Sequence, residues 1–468
     1  MANATTFSVE KTLVSDAEGL HRRLSQRQLT MMAIGGAIGV GFFLGSSVSI
    51  RLAGPAVILS YILGAGIALI MSYALAEMAV IHPVAGAFGV YAENYLHPWA
   101  GFSVRVTYGV AQIIAIGAEV IAAGIYIAFW FPNVPQWVWV VLFSAALVAL
   151  NSMQVNRFGE FEYWFAMVKV GAIVVFILVG LALVLCIRSE GAIGLANLRR
   201  YGGFFPMGWK GVWLSLTLTV TSYMGVEIIA VTAGEAQNPE FTIPRAMRNI
   251  VWRLILFYVV AIAVMVAMVP WNQTAGSSTL SGSPFVTAFA TVHIPFAASI
   301  MNFVVLTAAL SSMNTNLYLS TRMLFSLGRG RHAPEWIAKV SRNGVPHRAL
   351  LASTAGIVIA ILLAIFAPKN AFLMLYGVAV AGMLFVWLVI LITHMRFRQA
   401  IKREQLSSLP MRLRAHPLPT VLGILLLLAV SVTTFLVDGL RWSVPAFSVF
   451  LGFVSLFYLR QVRGHNRV

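Results

Sequence analysis

Charge is what this chain has least of. Only 10% of its 468 residues are Asp, Glu, Lys or Arg, against roughly 25% in a soluble globular protein. So few ionic groups cannot keep a folded surface hydrated, which excludes a water-soluble domain. The single cysteine, Cys186, excludes an intrachain disulfide framework. Acids are scarcer than bases, 15 against 32, leaving a net charge of +17. That excess does not indicate nucleic-acid binding, because there is no soluble domain to carry a basic face. No HExxH, paired-histidine or Ser/His/Asp arrangement stands out. Neither a metal site, nor a cofactor, nor a catalytic set is therefore expected.

What the chain has instead is hydrophobic residues, 59% of the total. They fall in runs of about 20, each long enough to cross a hydrocarbon core of roughly 30 Å as a helix. The expected fold is an all-α polytopic membrane protein. Its twelve transmembrane helices are predicted near 28–50, 54–80, 100–130, 136–154, 163–187, 211–236, 248–270, 284–325, 347–367, 371–396, 417–437 and 441–460. With the N-terminus inside, 24 of the basic residues lie in cytoplasmic segments and 7 outside, and Lys169 lies within a span. The positive-inside rule then places both termini in the cytoplasm. Residues 1–27 are polar, with no apolar segment of the signal-peptide kind before the first span, and read as a cytoplasmic tail holding His21, Arg22, Arg23 and Arg27. Residues 461–468 read as the C-terminal tail.

Two apolar runs are interrupted by similar chemistry. The first contains Gly35-Gly36-Ala37-Ile38-Gly39-Val40-Gly41, and the sixth contains Ser222-Tyr223-Met224-Gly225-Val226-Glu227. Interrupted helices in corresponding halves point to a secondary transporter built as an inverted repeat. Broken backbone at membrane depth must line a cavity or lie buried in protein. The glycines of the first break lower the cost of leaving helical geometry. They also let the N–H groups of Ala37, Ile38, Gly39, Val40 and Gly41 approach an anion at a helix N-terminus, which suits a substrate carboxylate. Carbonyls released near Val220, Thr221, Ser222 and Tyr223 suit an ammonium group, with Thr221, Tyr223 and Met224 left to contact the side chain. Tyr223 reads either as a gate or as a packed aromatic.

Ionisable groups inside spans are costly and are functional candidates. Lys169 is the strongest, and a buried ammonium there can load and release a proton. Glu119, in the third span, and Glu227, just past the second break, can be protonated, pair with a cation or brace the broken helix. Glu77 and Glu235 are expected to cap cytoplasmic helix ends. Glu160 and Glu162 are expected at the interface, and His82 and His293 in loops.

These residues carry a resemblance. Thr232-Ala233-Gly234-Glu235-Ala236, continuing through Gln237-Asn238-Pro239 to Thr242-Ile243-Pro244-Arg245-Ala246, resembles the segment after the sixth helix of bacterial amino acid permeases of the amino acid–polyamine–organocation superfamily. Gly35 to Phe43 resembles that family's first-helix motif, and Phe158-Gly159-Glu160 through Lys169 its fifth. Asn314, Tyr318, Ser320, Arg322 and Met323 are similar to its eighth helix. Gly330, Ala333-Pro334 and Gly344-Val345-Pro346 match the loop that follows. Arg105-Val106-Thr107-Tyr108-Gly109-Val110 departs from the tryptophan-rich start common in the third helix, and Ser222-Tyr223-Met224 from the phenylalanine-containing stretch common before the sixth-helix glycine.

The resemblance implies a five-plus-five inverted repeat with discontinuous helices 1 and 6 in a transport core at 28–397, and helices 11 and 12 appended at 398–460. It implies a multi-pass protein of the bacterial inner (plasma) membrane that imports an amino acid by proton symport with alternating access. Lys169 occupies the proton-linked position. An exchanger or facilitator of the same fold is the alternative. A neutral substrate is expected, since few anionic groups beyond Glu119 and Glu227 lie at membrane depth. The partners implied are the amino acid, the proton and the lipid bilayer. The oligomeric state is not implied.

Overall fold

The computed structural model describes residues 25–465, apart from 85, 154, 187–193, 233–238, 275–282, 292–295, 331, 342–344, 367–370, 402–408, 410 and 438. Glu235, His293, Lys369, Gly344 and the tail residues His21, Arg22 and Arg23 lie outside the described residues. Among those described, every long element is a helix and there is no strand.

The chain enters α1 (Gln26–Ala37) through a capping box. The Ser25 side chain accepts from the Gln28 amide while the Gln28 side chain accepts from the Ser25 amide. Then follow α2 (Val40–Phe43), α3 (Gly45–Ala53), α4 (Val57–Ile81), α5 (Ala87–Tyr95) and α6 (Pro98–Ile127), the last opened by a proline in its first turn. After α7 (Gln136–Asn151) and α8 (Val155–Cys186) come α9 (Gly208–Thr219), α10 (Ile228–Val231), α11 (Pro239–Met268) and α12 (Ala297–Arg329). The last helices are α13 (His347–Ser353), α14 (Ala355–Phe366), α15 (Ala371–Ala400), α16 (Leu418–Thr433) and α17 (Ser443–His465).

Ten stretches of the described chain are long and apolar enough to cross a membrane. One of them, Val40–Ile81, is 42 residues long and bends at Gly54–Ala56, so it covers the run-out of the first predicted span together with the second. Gln136–Asn151, predicted as the fourth, has 16 helical residues, fewer than a perpendicular crossing needs. The outside of the bundle carries many large apolar side chains. Leu178, Val175, Leu256, Leu422 and Phe453 all stand exposed, a surface that lipid covers and water would not. This is an all-α, multi-pass membrane protein.

The site is positioned by the innermost packing. Helix α6 makes its most extensive contacts with α12 and then α15, while α1 lies against α8, α11 and α12. The two interrupted segments, α1–α2 and α9–α10, thus sit inside a sleeve of continuous helices.

Candidate functional site

Helix α1 stops at Ala37. Ile38 still donates its amide to the Ile34 carbonyl at 3.0 Å. The chain then extends at Gly39 (φ −123°, ψ −162°) before α2 begins at Val40. Groups from elsewhere in the chain take the loosened carbonyls. Lys169 Nζ donates to Gly35 O, Tyr258 Oη donates to Ala37 O at 2.7 Å, and Ser283 Oγ donates to Phe43 O at 2.8 Å. Each satisfies a polar group that lipid could not. A β-carbon on Gly39 would fall 2.5 Å from Ser312 Oγ and 2.9 Å from Glu119 Oε1, so no larger residue fits without displacing both.

The second segment departs from helix in two stages. One 3-10 turn covers Val220–Tyr223, and the Met224 amide donates to Thr221 O at 3.1 Å. Met224 then extends (φ −64°, ψ 139°) and Gly225 takes φ +113°, a conformation L side chains rarely adopt. A β-carbon on Gly225 would lie 2.9 Å from both N and Cα of Ala37. The two breaks therefore meet backbone against backbone, and Ser222 Oγ donates to Gly41 O at 3.4 Å. Glu227 closes the second break from within. Its two carboxylate oxygens accept from the Gly225 amide at 3.1 and 3.0 Å, from Trp387 Nε1 at 3.3 Å and from Tyr108 Oη at 3.5 Å.

A cavity of about 100 Å³ lies between the breaks. Gly36, Ala37, Gly39, Val40 and Gly41 wall it on one side, and Thr221, Ser222, Met224, Gly225 and Glu227 on the other. Gln112 and Glu119 reach it from α6, Ser312 and Asn316 from α12, and Tyr376 and Met383 from α15. Tyr376 Oη lies 2.6 Å from Thr221 Oγ1. Glu119 is buried, and its Oε2 finds no hydrogen-bond partner among the described residues. Of the residues expected from sequence, Ile38, Val220 and Tyr223 stand outside this wall. Tyr223 is packed here: its hydroxyl donates to Tyr61 O at 2.9 Å and its ring sits 5.1 Å from that of Tyr258.

Lys169 is fully buried beneath the first break. Its neighbour Glu162 corrects an expectation. Glu160 is half exposed and pairs with Arg27 at 3.2 Å, as an interfacial residue would, but Glu162 is fully buried. It accepts from Ser311 Oγ and from Asn314 Nδ2 at 3.0 Å, and Asn314 in turn accepts from Asn151 Nδ2 at 2.6 Å. The physical reason is helical geometry: Glu162 precedes Lys169 by about two turns and shares its inward face. Glu77 also has a larger role than a helix cap. It is fully buried, and it accepts from His394 Nε2 at 2.8 Å and from Arg398 Nε and Nη2 at 2.7 and 2.6 Å. His82, just beyond α4, lies 2.7 Å from Tyr95 Oη, and burial holds its imidazole below the ordinary histidine range.

Comparison with known proteins identifies the family. Residues 28–461 match the family model described as amino acid permease. The chain belongs to the amino acid permease family. It is 39% identical to a probable threonine/serine transporter of Bacillus subtilis (strain 168), over 94% of each chain. It is 37% identical to the gamma-aminobutyric acid permease of the same organism, over 94% of this chain and 93% of the relative. It is also 37% identical to the aromatic amino acid transport protein AroP of Escherichia coli O6:H1, over 94% of this chain and 96% of the relative. Membership makes an amino acid the substrate of this permease and a membrane its setting.

Proposed function

We propose that this permease imports a small neutral amino acid across the bacterial plasma membrane by proton symport with alternating access. The observation that carries the reading is the cavity enclosed between the two breaks. A carboxylate suits the amides that open α2, where a helix start concentrates partial positive charge. The ammonium end suits the second break, whose peptide oxygens and Thr221 and Ser222 hydroxyls are acceptors. Size argues for a short side chain. A water needs roughly 10–15 Å³ by this measure, so the cavity holds on the order of eight water-sized bodies. That suits serine, threonine or alanine. Relatives named for gamma-aminobutyric acid, for threonine or serine, and for aromatic amino acids differ by no more than two points in identity to this chain, so identity does not choose among them.

Proton coupling is assigned to Lys169. Charged, its ammonium holds the Gly35 carbonyl and ties α8 to the broken first helix. Losing the proton weakens that tie and frees the helix to move. In this reading residues 28–397 form the transport core, residues 398–460 flank it, and both termini face the cytoplasm, as the distribution of Lys and Arg favours.

The test is uptake of radiolabelled threonine, serine, alanine and phenylalanine by proteoliposomes under an inward proton gradient. The expected result is concentrative uptake of the small substrates that collapses with a proton-conducting uncoupler. Uptake indifferent to the uncoupler would make the protein an exchanger or facilitator, and preference for phenylalanine would overturn the size argument.

A further inference from the structure

A second cavity, of about 800 Å³, opens away from the transport site, where the last half of α4 meets the first turns of α11, Leu409 and the 411–414 segment. Four arginines line it, Arg245, Arg248, Arg412 and Arg414, and no carboxylate does among the described residues. All four are exposed, and none pairs with a described acid. Gathered cations without a counter-charge repel one another, so an anion seated among them removes a penalty that the free protein bears. Apart from Tyr73, the rest of the wall is apolar side chains. Ile70 supports it and Phe241 stands 61% exposed at its side. Cations set beside an exposed apolar wall at the end of a membrane-spanning bundle match a molecule with a phosphate at one end and hydrocarbon at the other. A free aqueous anion would gain nothing from the apolar part.

We propose that this cavity binds the phosphate-bearing headgroup of an anionic phospholipid of the inner leaflet. The leaflet rests on the cytoplasmic orientation given above, whereas the binding does not. The segment that carries two of the arginines is also wired to the bundle. The Leu413 amide, between Arg412 and Arg414, donates to Glu77 of α4, and the Leu413 carbonyl accepts from Arg398 Nη2 of α15 at 2.8 Å. A headgroup on Arg412 and Arg414 therefore also fastens α11 to the join of α4 with α15.

The experiment uses the full chain in nanodiscs of phosphatidylcholine with or without phosphatidylglycerol, counting retained lipid by native mass spectrometry and following thermal stability. An arginine near an anionic surface accounts for roughly fivefold in affinity. The double variants R245Q/R248Q and R412Q/R414Q are each expected to weaken phosphatidylglycerol retention about thirtyfold and to lose its stabilising effect. The corresponding lysine variants retain most of both. R199Q/R200Q serves as the control, because that segment lies by the far end of α11, where Asn197 Nδ2 donates to Ala267 O at 2.9 Å. The two arginine pairs sit on separate segments, so if one double variant does not fold, the other decides. Unchanged retention in the folded variants, or an equal loss in the control, overturns the proposal. Stabilisation of the wild type by inorganic phosphate or glycerol phosphate as large as that by the lipid overturns it too, because the site would then take a soluble anion.

Discussion

At the first break the loosened carbonyls are held by borrowed groups. Lys169 comes from α8, Tyr258 from α11, and Ser283 from the segment preceding α12. At the second break the chain supplies its own brace, with Glu227 reaching back two residues to the Gly225 amide and only then outward to Trp387 and Tyr108. A break braced partly from within depends less on its neighbours. A break held by neighbouring helices changes when they move or when one of its donors changes charge. Under the proposed mechanism, α9–α10 is then the standing platform and α1–α2 the element that couples.

That division predicts different phenotypes on the two sides. The largest effect is expected from Glu227→Ala. It strands the Gly225 amide and the Trp387 and Tyr108 donors in a buried site, at about 1–3 kcal/mol for each donor left unmade. A large fall in thermal stability in detergent is the expected outcome, and Glu227→Gln recovers part of it. A stability equal to wild type in the alanine variant would erase the contrast between the breaks. Next comes Lys169→Ala, whose expected defect is in coupling. One charge crossing 100 mV is worth about 2.3 kcal/mol, which corresponds to roughly a forty- to fiftyfold accumulation ratio. That ratio is expected to fall to about one while counterflow exchange continues, as measured in proteoliposomes with an imposed potential.

Gly225→Ala forces a side chain into φ +113° against the Ala37 backbone, a strain of order 1–3 kcal/mol. Because the two breaks touch there, substrate binding is expected to suffer more than stability, and thermal stabilisation by threonine separates the two. The smallest effect is expected from Tyr258→Phe, which removes one hydroxyl from the Ala37 carbonyl at about 1 kcal/mol. It sharpens the comparison if it slows transport a few-fold with the melting temperature nearly unchanged.

Much of this was legible in the sequence, because helix breaks at membrane depth leave a local mark. Glycines clustered at 35–41 and Gly225 followed two residues later by Glu227 announce both breaks. Lys169 and Glu119 announce themselves as charges among apolar neighbours. What escaped was long-range or directional. Glu162 read as a twin of the exposed Glu160 because they are two residues apart, yet that offset turns a helical side chain by more than half a revolution, from the surface to the inside. The two-turn spacing from Glu162 to Lys169 was the available signal. The partners of Glu77 lie 317 and 321 residues away at His394 and Arg398, and no local pattern joins them. In the sixth run, the expected release at Val220–Tyr223 falls a few residues before the extended backbone at Met224 and Gly225, because a 3-10 turn prolongs the helix. Composition does not reveal where a helix tightens before it ends.

The most direct measurement is a cryo-EM map of the protein with a small amino acid bound. The expectation is carboxylate density within hydrogen-bonding distance of the amides at the start of α2, and the rest of the ligand against Thr221 and Ser222. Density for the ligand elsewhere, or unbroken helical backbone through residues 37–41 and 223–227, would contradict it.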